Sequence, residues 1–140
     1  MRRYEKYKEH ARKIVHERVA YYNTFYNYPI GRISIRDQKS RWGSCSSKGN
    51  LNFNYKIFFL PIELVDYIVV HEICHLGEFN HSKRFWALVE KQCPDYKKRV
   101  EELSKFTLKR VKRMTKTAFV RLRGVTRAVL VMRFLRNYLK

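Results

Sequence analysis

The chain has 140 residues, of which 45% are apolar and 15% aromatic, which excludes a disordered chain and suits one folded domain with its own core. Its formal charge is +19, and residues 103–140 hold 12 Lys and Arg but no Asp or Glu. No run approaches the roughly 18 uncharged apolar residues of a membrane span, and no apolar stretch typical of a secretory signal follows the N-terminal basic residues. We expect a folded domain over residues 1–103 and a basic amphipathic C-terminal extension over residues 104–140.

Apolar spacing in the first half predicts one long helix followed by short strands. Residues 2–26 repeat apolar side chains at helical spacing, and a break that contains Pro29 follows. The segments 31–37, 41–46 and 51–55 have the alternation and the neighbouring turn residues that are typical of strands. An amphipathic helix and a small antiparallel sheet are therefore expected.

The second half is predicted to be helical. Pro61 suits the first turn of a second helix, in which apolar residues recur at helical spacing. Ser82 fits the N-cap of a third helix, whose Phe85 and Trp86 are expected in the core, and Pro94 opens a fourth. The sequence therefore predicts an α+β domain in which flanking helices pack with a small sheet.

The cysteines bear on the cellular compartment. Cys45, Cys74 and Cys93 are odd in number and show no CxxC spacing, so we interpret them as reduced thiols. Cys74 is expected to pack inside the protein, whereas Cys45 has a better claim to approach the site described below. Reduced thiols and the lack of a signal make the cytoplasm the expected location.

The second helix carries an HExxH motif, formed by His71, Glu72 and His75. At about 100° per residue the two histidines lie about 40° apart on the helix, with the carboxylate on the same side. Two imidazoles can then share one metal ion while the carboxylate overhangs it. The motif predicts a zinc site.

A third ligand can come from His81. In a continuous helix His81 would lie about 15 Å from His71, too far to share an ion whose ligands sit about 2 Å away. The helix must therefore stop, and Gly77 in a left-handed cap conformation, helped by Asn80, is the expected cause. A lone HExxH also occurs by chance on solvated helix faces, and the helix breaker and third histidine favour a metal site over that alternative.

Six segments can be compared with known families: RWGSC at 41–45, LNFN at 51–54, LP at 60–61, DYIVVHEICHL at 66–76, NHSKRFW at 80–86 and CPDY at 93–96. Together they resemble the YgjP-like metal-dependent hydrolase family, a relative of SprT-like and other zincin metallopeptidases. The resemblance covers roughly residues 4–103. It implies a zincin-like minimal domain, with Glu72 on the metal-binding helix and metal ligands at His71, His75 and His81.

The expected chemistry is hydrolysis. Three neutral histidines leave the charge of Zn²⁺ intact, which lowers the pKa of a bound water towards about 7. Glu72 is the catalytic base that takes the proton from this water and later passes it to the leaving group. We expect a zinc-dependent metallopeptidase acting on a peptide or protein. A metal-dependent nucleotide phosphohydrolase and a zinc-stabilised nucleic-acid-binding module are the alternatives.

Residues outside the motif could assist. Arg41 and Trp42 lie on a predicted strand that could align an extended substrate, although a salt bridge for Arg41 and a core position for Trp42 are the stronger interpretations. Tyr55, Tyr96 and Arg41 are candidates to stabilise the oxyanion.

The basic extension, residues 104–140, has three interpretations. Its Lys and Arg could contact the phosphates of a nucleic acid, with affinity that falls steeply with salt. Its apolar residues would suit an anionic membrane surface, which we do not expect as a partner, and a helix packed on the body is the plainest alternative. The sequence predicts no oligomeric state.

Overall fold

The computed structural model describes residues 1–113. The α+β class is confirmed, and the four predicted helices and the three strands lie close to their predicted positions, whereas the 3₁₀ helix and the last helix were not predicted. The part of the basic extension beyond residue 113 falls outside the described residues. The helices are α1 (Arg3–Tyr26), α2 (Ile62–Cys74), α3 (Lys83–Gln92), α4 (Tyr96–Ser104) and α5 (Leu108–Arg113), the strands are β1 (Ile33–Arg36), β2 (Gly43–Cys45) and β3 (Leu51–Asn54), and a 3₁₀ helix spans Tyr55–Phe59.

The three-stranded sheet is mixed, with the order β1-β3-β2. Strands β2 and β3 are antiparallel, as predicted, but β1 pairs parallel with β3, so the expectation of an antiparallel sheet was wrong for this pair. The cause lies in the connection from β1 to β2, which crosses to the far side of β3. The buried Asn54 side chain holds this connection by donating hydrogen bonds to the carbonyls of Gln38 (2.7 Å) and Arg41 (3.0 Å).

Helix α2 lies at the centre of the core. Ten of its thirteen residues are buried, among them Val69, Val70 and Ile73 with no exposed surface. Helices α1, α3 and α4 and strand β2 all contact it. A helix that is apolar on all sides needs this surrounding, because each exposed side would leave apolar surface in water.

Helix α1 covers one side of α2 and of the 3₁₀ helix with a buried stripe formed by Ala11, Val15, Val19 and Tyr22. It ends at Asn27, which adopts the left-handed conformation (φ 56°) and donates its backbone N–H to the carbonyl of Asn23. Asparagine tolerates this conformation better than most residues, so the helix stops before Pro29 is reached. The predicted break after residue 26 is confirmed.

Helix α5 packs against the 3₁₀ helix. Val111 is fully buried in the core, and its carbonyl accepts a hydrogen bond from Arg3 Nη2 at 3.3 Å. Contacts with the body therefore continue past residue 103, and the division of the chain at that residue stays a prediction. None of the described helices combines the length and the apolar character that crossing a bilayer requires.

One buried ion pair ties α1 to α2 and provides a test of this packing. Arg18 donates from Nε to Asp66 Oδ1 (2.6 Å) and from Nη2 to Oδ2 (3.0 Å). The Asp66 side chain is 5% exposed, so Arg18→Ala should lower the free energy of unfolding by about 3 kcal/mol, because the buried carboxylate would lose the charged partner that bonds to both of its oxygens. Urea denaturation measures this loss.

Arg12→Ala is the matched control on the same helix. Its pair with Glu9 lies at the surface, with side chains 40% and 66% exposed, so the loss should be about 0.5 kcal/mol or less. Equal losses for the two variants would contradict a special role for the Arg18–Asp66 pair.

Candidate metal centre

The chain turns back directly after α2. The helix ends at Cys74, and the amides of Leu76, Gly77 and Glu78 bond to carbonyls of its last turn. Ser82 then caps α3 by accepting a hydrogen bond from the Phe85 amide, as predicted. This short return brings His81 beside the end of α2.

The helix stops where the sequence predicts, but Gly77 does not stop it by a left-handed cap. Among the described residues only Asn27 and Gly49 have positive φ. Gly77 is needed for space instead: a Cβ at this position would overlap the hydroxyl of Tyr28 and lie 2.8 Å from its Cζ. The glycine lets Tyr28 pack against the returning segment.

The three predicted histidines come together. His71 Nε2 lies 3.2 Å from His75 Nε2 and 3.3 Å from His81 Nε2. Tetrahedral zinc with Zn–N bonds of about 2.0–2.1 Å would hold two nitrogens about 3.3–3.4 Å apart, so the spacing fits the ion. Within residues 1–113, this is the group of potential ligand side chains that lies close enough to hold a metal.

Hydrogen bonds at Nδ1 orient the imidazoles of His71 and His75. His75 Nδ1 lies 3.0 Å from the carbonyl of Glu78, which can only accept, so Nδ1 carries the proton and Nε2 keeps a free lone pair. His71 Nδ1 lies 3.2 Å from the Tyr67 hydroxyl. Burial, together with His75 and His81, lowers the pKa of His71 to about 3, and burial lowers that of His75. Both rings are therefore neutral, as metal ligands must be.

The Phe85 ring packs against all three imidazoles. Its fully buried ring stacks on His75, with centroids 4.4 Å apart, and meets the edges of His71 at 4.9 Å and His81 at 5.0 Å. Trp86 stacks on His81 at 6.0 Å. Both were predicted as core residues, and they also position the histidines.

Tyr67 and Phe85 were not predicted as supports of the site. The sequence carried a signal for both, because each lies four residues from a histidine that it contacts. Tyr67 precedes His71 by four residues, and Phe85 follows His81 by four. Side chains four residues apart share a helix face, so a search of neighbouring positions could have found Tyr67. His81 precedes α3, so the same rule applies less directly to Phe85.

Glu72 lies beside the histidines on α2 and is 6% exposed. Burial raises the pKa of its carboxyl group to about 8, and the positive charge of Arg41 partly opposes this. Gly43 of β2 faces it: a Cβ there would lie 3.0 Å from both Cγ and Oε1 of Glu72. The absence of a side chain at residue 43 gives the carboxylate its space, a role that the sequence alone did not reveal.

The other candidates occupy different environments. Arg41 is exposed close to Glu72, and Tyr96 stacks on Trp86 with centroids 5.0 Å apart. Tyr55 is buried against rings of α1 and the 3₁₀ helix instead, so it does not join the group. Cys45 is half-buried, and burial and the nearby Glu72 charge raise its pKa to about 11.

Trp42 is half-buried and packs against the core, and Cys74 is fully buried, as the sequence predicted. His10 and His16 lie exposed on α1, away from the histidine group. Of the candidate oxyanion-stabilising residues, Arg41 and Tyr96 thus remain near the site.

Comparisons with known proteins identify the family and the fold. The family model described as YgjP-like, metallopeptidase domain, matches residues 2–106. The structure resembles the metallopeptidase zymogen abylysin of Pyrococcus abyssi, with 27% identity over 72% of this protein and 91% of that one and a TM-score of 0.53. It shares its fold with the zymogen jannalysin of Methanocaldococcus jannaschii, with 24% identity over 67% and 96% of the two proteins and a TM-score of 0.51. No curated protein sequence matches this one.

We expect the wild-type protein to bind about one zinc ion per molecule and to unfold at a higher temperature in its presence. His81→Ala should weaken this binding by more than about 10-fold. Loss of a hydrogen bond that only orients a ligand already costs about that much, and this variant removes a ligand itself. Because His81 is exposed, the variant should still fold. Elemental analysis measures the zinc content, and thermal unfolding with zinc together with titration against a competing chelator measures the affinity, with His16→Ala as the control. An unchanged zinc affinity in His81→Ala would contradict the site.

Tyr67→Phe tests the hydrogen bond to His71. The ring would keep its packing, but Nδ1 of His71 would lose the partner that orients it, so zinc affinity should fall by roughly 10-fold to 100-fold. Titration against a competing chelator measures the change. If the affinity of this variant equals that of the wild type, the hydroxyl does not orient the imidazole.

Proposed function

The chain belongs to the YgjP-like family of metallopeptidase domains, and from this premise we propose that it is a zinc-dependent peptidase in which Glu72 is the catalytic base. The observation that carries the proposal is the meeting of three imidazole nitrogens beside a buried carboxylate. Neutral nitrogens at this spacing suit zinc, and a carboxylate that is not one of the three ligands is free to move protons.

His71, His75 and His81 would hold the ion through their Nε2 atoms. When bound, zinc supplies a Lewis acid that acidifies a coordinated water and polarises the carbonyl of the bond to be cut. The Tyr67 hydroxyl and the Glu78 carbonyl keep the imidazoles of His71 and His75 in place during the reaction. Phe85 excludes water from beneath the rings and so keeps the histidines in a fixed arrangement.

Glu72 would accept the proton of the attacking water on its carboxylate and then donate it to the nitrogen of the leaving group. Burial makes its carboxylate a stronger base than a solvated one but also favours the protonated form, and the positive charge of Arg41 opposes this by favouring the charged form that can accept a proton. Because Gly43 has no side chain, β2 packs close to Glu72 without displacing its carboxylate. The protonation state of Glu72 therefore depends on the positive charge near it.

A peptide substrate would lie along β2. This strand is at the edge of the sheet, and Gly43 within it faces Glu72. A peptide that adds a strand to this edge would satisfy the unpaired backbone groups of β2 and pass directly over the carboxylate. Arg41 and Tyr96 flank this path and are the groups that we assign to the oxyanion.

Glu72→Gln should lower kcat by about 10²-fold to 10⁴-fold on a cleaved peptide or protein, because the amide cannot accept the proton. Zinc content should stay near one ion per molecule. Initial rates on a casein digest followed by mass spectrometry measure the loss, and chelation of zinc from the wild type should abolish cleavage.

Glu63→Gln, at the start of the same helix, is the matched control and should keep wild-type rates. Nucleoside triphosphates should not be hydrolysed by the wild type. Cleavage that is equal in wild type and Glu72→Gln would contradict the assigned base, and zinc-dependent hydrolysis of nucleotides without peptide cleavage would favour the phosphohydrolase instead.

A further inference from the structure

The outer face of the sheet carries polar side chains that the candidate metal centre does not use. On the inner face, Ile35 and Phe53 are buried in the core. Side chains alternate between the two faces of a strand, so the residues between the buried ones point outward. The strand register places Ser34 of β1 and Ser44 of β2 on either side of Asn52 of β3. All three are partly exposed, so a row of two hydroxyls and one amide crosses the outer face.

Two arginines border this row. Arg36 follows Ser34 by two residues, and its Nε lies 3.5 Å from Asn52 Oδ1, which places it on the same face. Arg32 precedes Ser34 by two residues, and its carbonyl accepts the Leu51 amide at 2.8 Å, so the strand pairing extends to this position. Both arginines are exposed and lie about 13 Å apart along the strand. We call the following residues the basic sheet face: Arg32, Ser34, Arg36, Ser44 and Asn52.

Further positive charge lies next to this face. Asn54, the last residue of β3, donates its side-chain hydrogen bonds to the carbonyls of Gln38 and Arg41. The connection from β1 to β2 therefore passes over one end of the outer face. Lys39 is exposed on this connection and lines the same groove as Lys109 of α5. The positive surface thus continues from the sheet towards α5.

The charge of the basic sheet face is not neutralised by neighbouring carboxylates. Residues 31–56 contain six Lys and Arg but one acidic residue, Asp37. In the part of the chain that the structure describes, Arg32, Arg36 and Lys39 take part in none of the ion pairs, whereas three cations of α1 are paired with carboxylates. A positive surface without its own counter-charges attracts a partner that carries many negative charges.

The chemistry of the face favours a nucleic acid over an anionic membrane. Arg, Lys, Ser and Asn side chains are the usual contacts to phosphate oxygens of a nucleic-acid backbone. A membrane surface would also take up apolar side chains beside the charges. Among the described residues, the exposed large apolar side chains lie outside the sheet, at Met1, Tyr21, Phe25, Phe79 and Val100. The basic sheet face offers charge and hydrogen-bond donors without apolar contacts.

We propose that the basic sheet face binds the phosphate backbone of a nucleic acid without reading its base sequence, with Arg32 and Arg36 on separate phosphates. Their separation along the strand corresponds to about four steps of roughly 3.4 Å along one strand of a duplex. None of the five residues of the face contacts the three histidines or Glu72, so the proposal does not depend on the peptidase function.

The experiment measures binding of labelled short duplex DNA to the full-length, zinc-loaded protein by fluorescence anisotropy at several salt concentrations. Arg32→Ala combined with Arg36→Ala should reduce the slope of log K against log salt by about 2, because each phosphate contact contributes about 0.9. At moderate salt the affinity should fall by roughly 10-fold to 100-fold. Duplexes of unrelated sequence should show the same loss.

Matched variants assign this loss to the face. Lys13→Ala combined with Lys91→Ala removes two exposed cations from α1 and α3 and should keep the wild-type slope. Arg32→Lys combined with Arg36→Lys keeps both charges and should retain the salt dependence. Asn52→Asp changes little in size but places a carboxylate beside Arg36, so it should weaken DNA binding without lowering the unfolding temperature.

Three results would overturn the proposal. The first is no salt-sensitive binding of DNA by the wild type. The second is an unchanged slope both in the Arg32/Arg36 alanine variant and in Asn52→Asp, which would assign the binding to another surface, such as residues 114–140. The third is a larger loss of binding to phosphatidylserine vesicles than to DNA in these variants, which would favour a membrane. Peptide cleavage by the Arg32/Arg36 variant should equal that of the wild type, so the proposed function is tested separately.

Discussion

The burial of α2 on all sides is the constraint on which the rest of the structure depends. A helix in this position can carry polar groups only where other elements satisfy them, because unpaired polar groups are costly inside a protein. Arg18 of α1 bonds to Asp66, and Arg99 of α4 donates a hydrogen bond to the Glu63 carbonyl. Gly43 of β2 leaves space for Glu72. Helices α1 and α4 and strand β2 therefore supply a polar partner or a space as well as cover for α2.

The return of the backbone after α2 depends on packing more than on turn chemistry. Tyr28 fills the space above Gly77, and Ser82 starts α3 a few residues later. Phe85 then lies under the three imidazoles, so the helix that closes the return also fixes the ring of His81. The third histidine is held by the same contact that anchors α3 to α2, which explains how an exposed residue keeps a defined position.

Features that depend on neighbours in sequence were predictable, and those that depend on distant contacts were not. The HExxH spacing, the cap at Ser82 and the end of α1 follow from residues within one or two helical turns. The parallel pairing of β1 with β3 depends on Asn54 bonding to a loop 13 to 16 residues away. In the sequence Gly43 looks like any other glycine of a strand. Only the structure shows that it lies opposite Glu72 and gives that side chain its space.

The arrangement of the group favours catalysis over a purely structural metal. Structural zinc sites are closed by four protein ligands, whereas catalytic sites keep three and leave one position open. The group contains three histidines within residues 1–113, and Glu72 beside it is not among them. A carboxyl group that is only 6% exposed, with its pKa raised to about 8, is costly to keep ionised without a charged partner in contact. A zinc-stabilised binding module would gain nothing from it, but a hydrolase needs a base at this point, so the buried carboxylate itself is the strongest argument for an enzyme.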